Sequence, residues 1–308
     1  MASLLDHRFL FVIGKGGVGK TTVATALALA AARRGKRTLL AMVNAAERAS
    51  HLLETAPIGH DVAQLETNLH AVNMTPEASI EEYGLMILKV RALYAAVFEN
   101  PLVRAFLRGT PGLEAWSMLG KAYFHAVGHG PEGVGEYDLV ILDAPATGHG
   151  LDMLRVPGAS ADSALSVLLR LVASLALYLF RDPRRAGVVL VTLAEDMPVN
   201  ETLELHAAVT GELAMPVPAL VVNQVLPRLF PGADDKARMD RLASHFGPGS
   251  ELATLAAASR LRASREAVQR EALARLATEL KLPTTRLPHL FSPEFRRPQI
   301  DTLSQAFR

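Results

Sequence analysis

The chain has 308 residues, half of them hydrophobic and a fifth charged, the balance of a well-cored globular protein. Lysine and arginine together number 32 against 31 aspartates and glutamates, so overall charge gives no footing for nucleic acid or an acidic membrane surface. Cysteine is absent, which excludes disulfides, iron–sulfur clusters and thiolate zinc sites and suits a reducing compartment.

Arg8 to Ile13 (RFLFVI) is a short apolar run ending at glycine, the pattern of a buried parallel strand. It leads into a glycine loop with no cleavage-like site, so it reads as a strand and not a signal peptide, and a cytoplasmic protein is expected. Thr21 to Arg34 is rich in alanine and leucine and stops before Gly35, a helix; Lys36 to Val43 is a second strand, completing a βαβ unit. Further strands are expected at Leu69 to Met74, Tyr137 to Leu142, Gly187 to Leu193 and Val217 to Val222, with helical patterns between them. This alternation predicts an α/β fold of three layers, a mostly parallel sheet covered on both faces. Two stretches interrupt it, about 76–127 and 160–180, and read as a helical subdomain inserted into one domain spanning 1–308. No stretch reaches the roughly 18 uninterrupted apolar residues of a bilayer span, so no integral membrane segment is expected.

Gly14-Lys15-Gly16-Gly17-Val18-Gly19-Lys20-Thr21 fits G-x-x-x-x-G-K-[ST] between a strand and a helix. Glycines let backbone N–H groups turn inward around phosphate oxygens, and the following helix adds partial positive charge. Lys20 would bridge the terminal phosphates, the Thr21 hydroxyl would hold Mg²⁺, and Thr22 closes the loop. Leu139 to Asp143 (LVILD) is the expected partner strand, with Asp143 ordering the metal. Lys15 is too far along the loop to share the task of Lys20. The sequence KGGVGKTT resembles the deviant phosphate loop, whose first lysine reaches the nucleotide of a neighbouring subunit and would act there as an arginine finger does.

The two-lysine loop followed by Asp143-Ala144-Pro145-Ala146-Thr147-Gly148-His149 resembles the arsenite-pump and tail-anchored-protein-targeting ATPases, P-loop NTPases that carry a D-T-A-P-T-G-H-type second switch. Thr192 to Thr202, Ala219 to Gln224 and Pro111 to Glu114 look like further segments of the same family. The resemblance implies ATP as the nucleotide, with Asn223 recognising adenine, Glu195 near the base or ribose, and Thr147 and His149 in the switch that senses the γ-phosphate. It also implies a dimer, either of identical chains or with a related ATPase, and a hydrophobic or membrane-segment protein client. No nucleic-acid partner is expected.

Three departures sharpen this reading. Where the family's first switch reads D-P-A-H, this chain has Asn44-Ala45-Ala46-Glu47 after Val43. Asparagine can hydrogen-bond the attacking water but cannot take its proton. The absent cysteines also remove the thiolates of an arsenite site and of a zinc clamp between protomers. Two functional readings follow: a dimeric Mg²⁺–ATP switch ATPase, or a catalytically weak nucleotide-binding subunit paired with a complete relative. A partitioning-type ATPase ranks behind both, because Gln299 to Arg308 is short and weakly patterned for a membrane-binding tail. Asp162 to Phe180, Tyr83 to Phe98 and Trp116 to Val127 are apolar helices that fit either core or a client groove.

Overall fold

The computed structural model describes residues 3–43, 47–79, 82, 113–128, 135–145, 150–155, 174, 176–230, 232, 234–246 and 250–307. Among them the strands are β1 (Phe9–Ile13), β2 (Thr38–Val43), β3 (Ala63–Glu66), β4 (Leu69–Met74), β5 (Leu139–Asp143), β6 (Ala186–Leu193), β7 (Ala219–Val225) and β8 (Thr284–Pro288). They form one eight-stranded sheet in the order β3-β4-β2-β5-β1-β6-β7-β8. Every neighbouring pair is parallel except β3 with β4. The expected three-layer α/β fold is present, and β5 lies between β1 and β2, so the first crossover skips one strand.

The sheet is buried on both faces because its central strands are mostly apolar, β1 at every position. On β1, Phe9, Phe11 and Ile13 point into one core and Leu10 and Val12 into the other, as the two-residue strand period requires. One core is closed by α1 (Lys20–Arg33), whose Val23 to Ala32 are all buried. Alanine and leucine favour a helix and let it lie close to the sheet. A C-terminal helix lies against α1, with Ile300 and Leu303 buried, and the Arg33 guanidinium donates to Asp301 at 2.5 Å and to Ser304 at 3.2 Å. The other core receives the helix Leu113–Val127, through Met118, Leu119, Ala122 and Tyr123, and the described end of the second expected insertion. Phe180 there sits 5.2 and 4.9 Å, centroid to centroid, from Phe9 and Phe11. Leu179 and Phe180 are buried whereas Tyr178 is 71% exposed, so this end of the helix is anchored to the sheet by one face only. Residues 160–173 and 175, and Tyr83 to Phe98, lie outside the described residues.

Two strands were not anticipated. Ala63–Glu66 is an antiparallel edge, half-buried at best, and Thr284–Pro288 is a polar edge in which Leu287 alone is buried. Both lack the apolar run that marked the inner strands.

Candidate nucleotide site

The glycine loop opens at the end of β1, the strand flanked by β5 and β6. Ligand crevices of open parallel sheets form at such carboxyl ends. Gly14 passes so close to β6 that a Cβ would stand 2.2 Å from the Val191 carbonyl oxygen. The left-handed positions fall on Gly17 (φ 87) and Gly19 (φ 89) and spare Lys15, so the added cation imposes no backbone strain. Gly19 also precedes the first turn of α1 without a side-chain cap, leaving its N–H groups open to an anion. Gly16 and Gly17 are exposed, and Val18 is buried.

Lys20 opens α1 and folds back over the loop, its Nζ donating to the Lys15 carbonyl at 3.1 Å. Burial lowers its pKa, an effect that Asp143 partly offsets. Thr21 Oγ1 donates to Asp143 Oδ2 at 2.6 Å, joining the loop to the end of β5. Asp143 is buried, and its Oδ1 has no hydrogen-bond partner. Burial pushes this carboxyl up to about 6, although the Thr21 hydroxyl and the Lys20 ammonium both lower it. A carboxylate so placed, short of one partner and next to a hydroxyl, is poised for a hard cation.

These groups face a cleft of about 1050 Å³, lined by Gly17, Gly19 to Thr22 and Asp143 on the loop side. Other parts of its wall come from segments that the sequence reading did not implicate: Arg48 and His51, and Pro288 to Leu290 with Ser292 to Arg296 at and after the end of β8. Glu47 also lines it, but the Glu47 carboxylate accepts from Ser50 N at 2.6 Å and Ser50 Oγ at 2.5 Å and so caps the short helix Ala49–Leu53. The acid three positions ahead of a serine, Glu47-Arg48-Ala49-Ser50, was the available signal.

Asn223, at the end of β7, is buried and clamps the loop. Its Nδ2 donates to the Val18 carbonyl at 3.0 Å, and its Oδ1 accepts from Gln224 N at 2.9 Å. It lines the cleft with its remaining hydrogen-bond capacity. Glu195 lines a neighbouring cavity of about 740 Å³, and Asn223, Gln224 and His289 border both spaces. Lys15 borders neither: its Nζ lies 2.5 Å from Glu201 Oε1 of the same chain, on the helix Asp196–Ala207. Asn44, Thr147 and His149 lie outside the described residues.

The family model of the anion-transporting ATPases matches residues 7–177. The chain belongs to this family. The anion-transporting ATPase assignment covers the phosphate loop and β5 together, and nucleotide binding follows from it. The chain is 29% identical over 225 residues to ATPase BagA of Mycobacterium tuberculosis, covering 71% of this chain and 66% of the relative. To an arsenical pump-driving ATPase of Escherichia coli it is 26% identical over 235 residues, covering 71% of this chain and 40% of the pump ATPase. To ATPase GET3C of Arabidopsis thaliana it is 25% identical over 276 residues, covering 74% and 69%. The matched part thus spans just under two thirds of the mycobacterial relative and well under half of the pump ATPase.

In this chain the donor set fits Mg²⁺ held jointly with a nucleotide. No three acidic, histidine or cysteine side chains converge among the described residues to cage a metal unaided. Mg²⁺ rarely needs such a cage, taking one or two protein oxygens and completing its shell with phosphates and water. The unpartnered Asp143 oxygen and the Thr21 hydroxyl are oxygens of that kind. No described helix is long and apolar enough to cross a membrane.

Proposed function

We propose that the chain is a Mg²⁺–ATP-dependent switch ATPase that works as a dimer in the cytoplasm, one P-loop unit over 1–308 whose helical insertions, about 76–127 and 160–180, respond to the nucleotide. The observation that carries this reading is the Lys20–Thr21–Asp143 constellation, a half-buried ammonium and a partner-short carboxylate bracketing one cleft. Lys20 and the loop amides would hold the phosphates, while Thr21 and Asp143 would hold the metal, which supplies charge neutralisation on the phosphate oxygens. Asn223 borders the base end, Glu195 lies just beyond it, and Thr147 and His149 would report the γ-phosphate. Lys15 would serve the nucleotide of the second protomer. The client would be a hydrophobic protein segment taken by the inserted helices, whose described end leaves Tyr178 71% exposed.

A specific observation favours a second reading, a subunit that binds ATP but turns it over weakly. The described carboxylates lining the cleft are Glu47, Asp143 and Glu294. Glu47 is committed to Ser50 and Glu294 to Arg296 at 2.8 Å, Asp143 stands beside Thr21 where it would hold the metal, and Asn44 replaces the expected water-orienting acid. Titration with a fluorescent ATP analogue, with and without Mg²⁺, together with phosphate release by the pure chain, separates the readings. Loss of binding in Lys20→Ala is expected under both. Turnover that rises about tenfold or more in Asn44→Asp supports the weak subunit, brisk turnover by the parent removes it, and Mg²⁺-independent binding refutes both.

A further inference from the structure

The geometry points to Glu201 as a positioning residue that keeps Lys15 within its own chain until a second copy of the chain presents a phosphate. The inference rests on the proposed use of Lys15 across a dimer. Lys15 stands on the glycine loop and Glu201 on the helix that follows β6, and β6 is paired with β1 up to Ile13↔Leu190. The sheet therefore brings loop and helix together at one strand end although 186 residues separate the two side chains. Their charged atoms meet at 2.5 Å, with each side chain about 30% exposed.

The pair is asymmetric. Glu201 Oε2 is buried and has no hydrogen-bond partner, so the carboxylate has lost water on one oxygen and depends on Lys15 at the other. Lys15 in turn is drawn sideways to the helix, away from the cleft that Lys20 faces. Glu201 is not needed to fix that helix. Its neighbour Asn200 accepts from Arg275 at 2.6 Å, Val199 is buried, and Thr202 Oγ1 donates to the Pro198 carbonyl at 2.6 Å. An ammonium held by one carboxylate can reach a phosphate on another molecule only by exchanging one anion for the other. A terminal phosphate carrying more charge than the carboxylate favours that exchange, and the carboxylate sets its threshold. Glu201 thereby raises the nucleotide occupancy required before two chains close on each other.

Sedimentation velocity over a range of a Mg²⁺-bound non-hydrolysable ATP analogue tests this on the full chain, comparing the parent with Glu201→Gln, Lys15→Ala and the double variant. A part-exposed ion pair shifts an equilibrium by about threefold. Two pairs open in each dimer, so Glu201→Gln should tighten dimerisation by about tenfold, with Glu201→Asp intermediate and thermal unfolding confirming that each variant is folded. The gain should vanish in the Lys15→Ala background and be absent in Glu204→Gln, which removes a charge from an exposed site on the same helix. Glu201→Gln that dimerises like the parent while Lys15→Ala is impaired overturns the restraint alone. An equal gain in Glu204→Gln, or unchanged dimerisation with slower turnover in Glu201→Gln, also overturns it, assigning the effect to net charge or to alignment of the ammonium. Parent-like dimerisation and turnover by Lys15→Ala instead overturns the underlying use of Lys15 in trans.

Discussion

Replacing Asp143 by asparagine should stabilise the empty protein and abolish its metal-dependent nucleotide binding at once. The carboxyl titrates at about 6 in the folded chain against an ordinary value of 3.8, because burial outweighs the help of Thr21 and Lys20. A group whose folded pKa is raised contributes fully below its unfolded pKa, and that contribution is lost as pH rises through the folded value. The parent chain without ligand should therefore lose stability between about pH 4 and pH 7. At 1.36 kcal/mol per pH unit the whole loss is ~3 kcal/mol. Asparagine keeps the shape, can still accept from Thr21 and does not titrate. The two proteins should then unfold at similar urea concentrations near pH 3.5 and diverge toward pH 8, with Asp143→Asn the more stable by ~3 kcal/mol. Urea titrations in EDTA at half-unit steps of pH read the difference directly. Adding Mg²⁺ and ATP should raise the parent's midpoint and leave the variant's unchanged, because the metal favours the ionised carboxylate that the variant lacks. A difference independent of pH, or one that grows as pH falls, refutes the argument that an ionised, half-partnered carboxylate waits in the empty site.

Two other substitutions probe the frame of the cleft. Gly19→Ala places a Cβ 2.3 Å from Asn223 Nδ2 at a φ of 89, so the chain should fold with a loss of roughly 1–2 kcal/mol and bind ATP at least about tenfold more weakly, measured by calorimetry. Glu266→Ala removes a buried carboxylate that accepts from Leu229 N at 3.1 Å, Phe230 N at 3.0 Å and Arg262 Nε at 2.7 Å. Stranding those donors should cost about 3–5 kcal/mol of stability in chemical denaturation, with little change in ATP affinity per folded molecule.

What could be read from the linear chain divides along physical lines. The loop and the strand ending in Asp143 were legible because each is contiguous: glycines at fixed spacing carry the turn, and an apolar run stops at a carboxylate. The inner strands were legible because burial on both faces leaves no polar alternation, and Leu69–Met74 has the expected bounds. Edge strands escaped the same reasoning, since Thr284–Pro288 is held by pairing to β7 and not by its side chains. The walls of the cleft escaped it too. Arg48 and His51 border the site at the short helix Ala49–Leu53, and residues from Pro288 to Arg296 arrive there because the chain turns off β8. A spare cation could be singled out at position 15, but its carboxylate partner lies 186 positions away and is brought close only by the β1–β6 pairing.

That pairing gives the strand order a functional meaning beyond support. One loop is met by the ends of three other strands, each acting on a different part of it. From β5 comes Asp143, bonded to the Thr21 hydroxyl; from the helix after β6 comes Glu201, bonded to the Lys15 ammonium; from β7 comes Asn223, bonded to the Val18 carbonyl. The Asn223 bond is to backbone and buried, and nothing about filling the cleft requires it to break. The other two are made by charged or metal-seeking groups whose partners a triphosphate and its cation would replace. Loading the site would therefore exchange the contacts at the two ends of the loop, Lys15 and Thr21, while the middle stays clamped. A loop fixed at its centre would pass that exchange to its neighbours, the β5 end at Asp143 and the helix after β6 that carries Glu201. On this argument nucleotide sensing and assembly are separable. Weakening the Asn223 clamp should impair both together, whereas changes at Glu201 should move assembly alone.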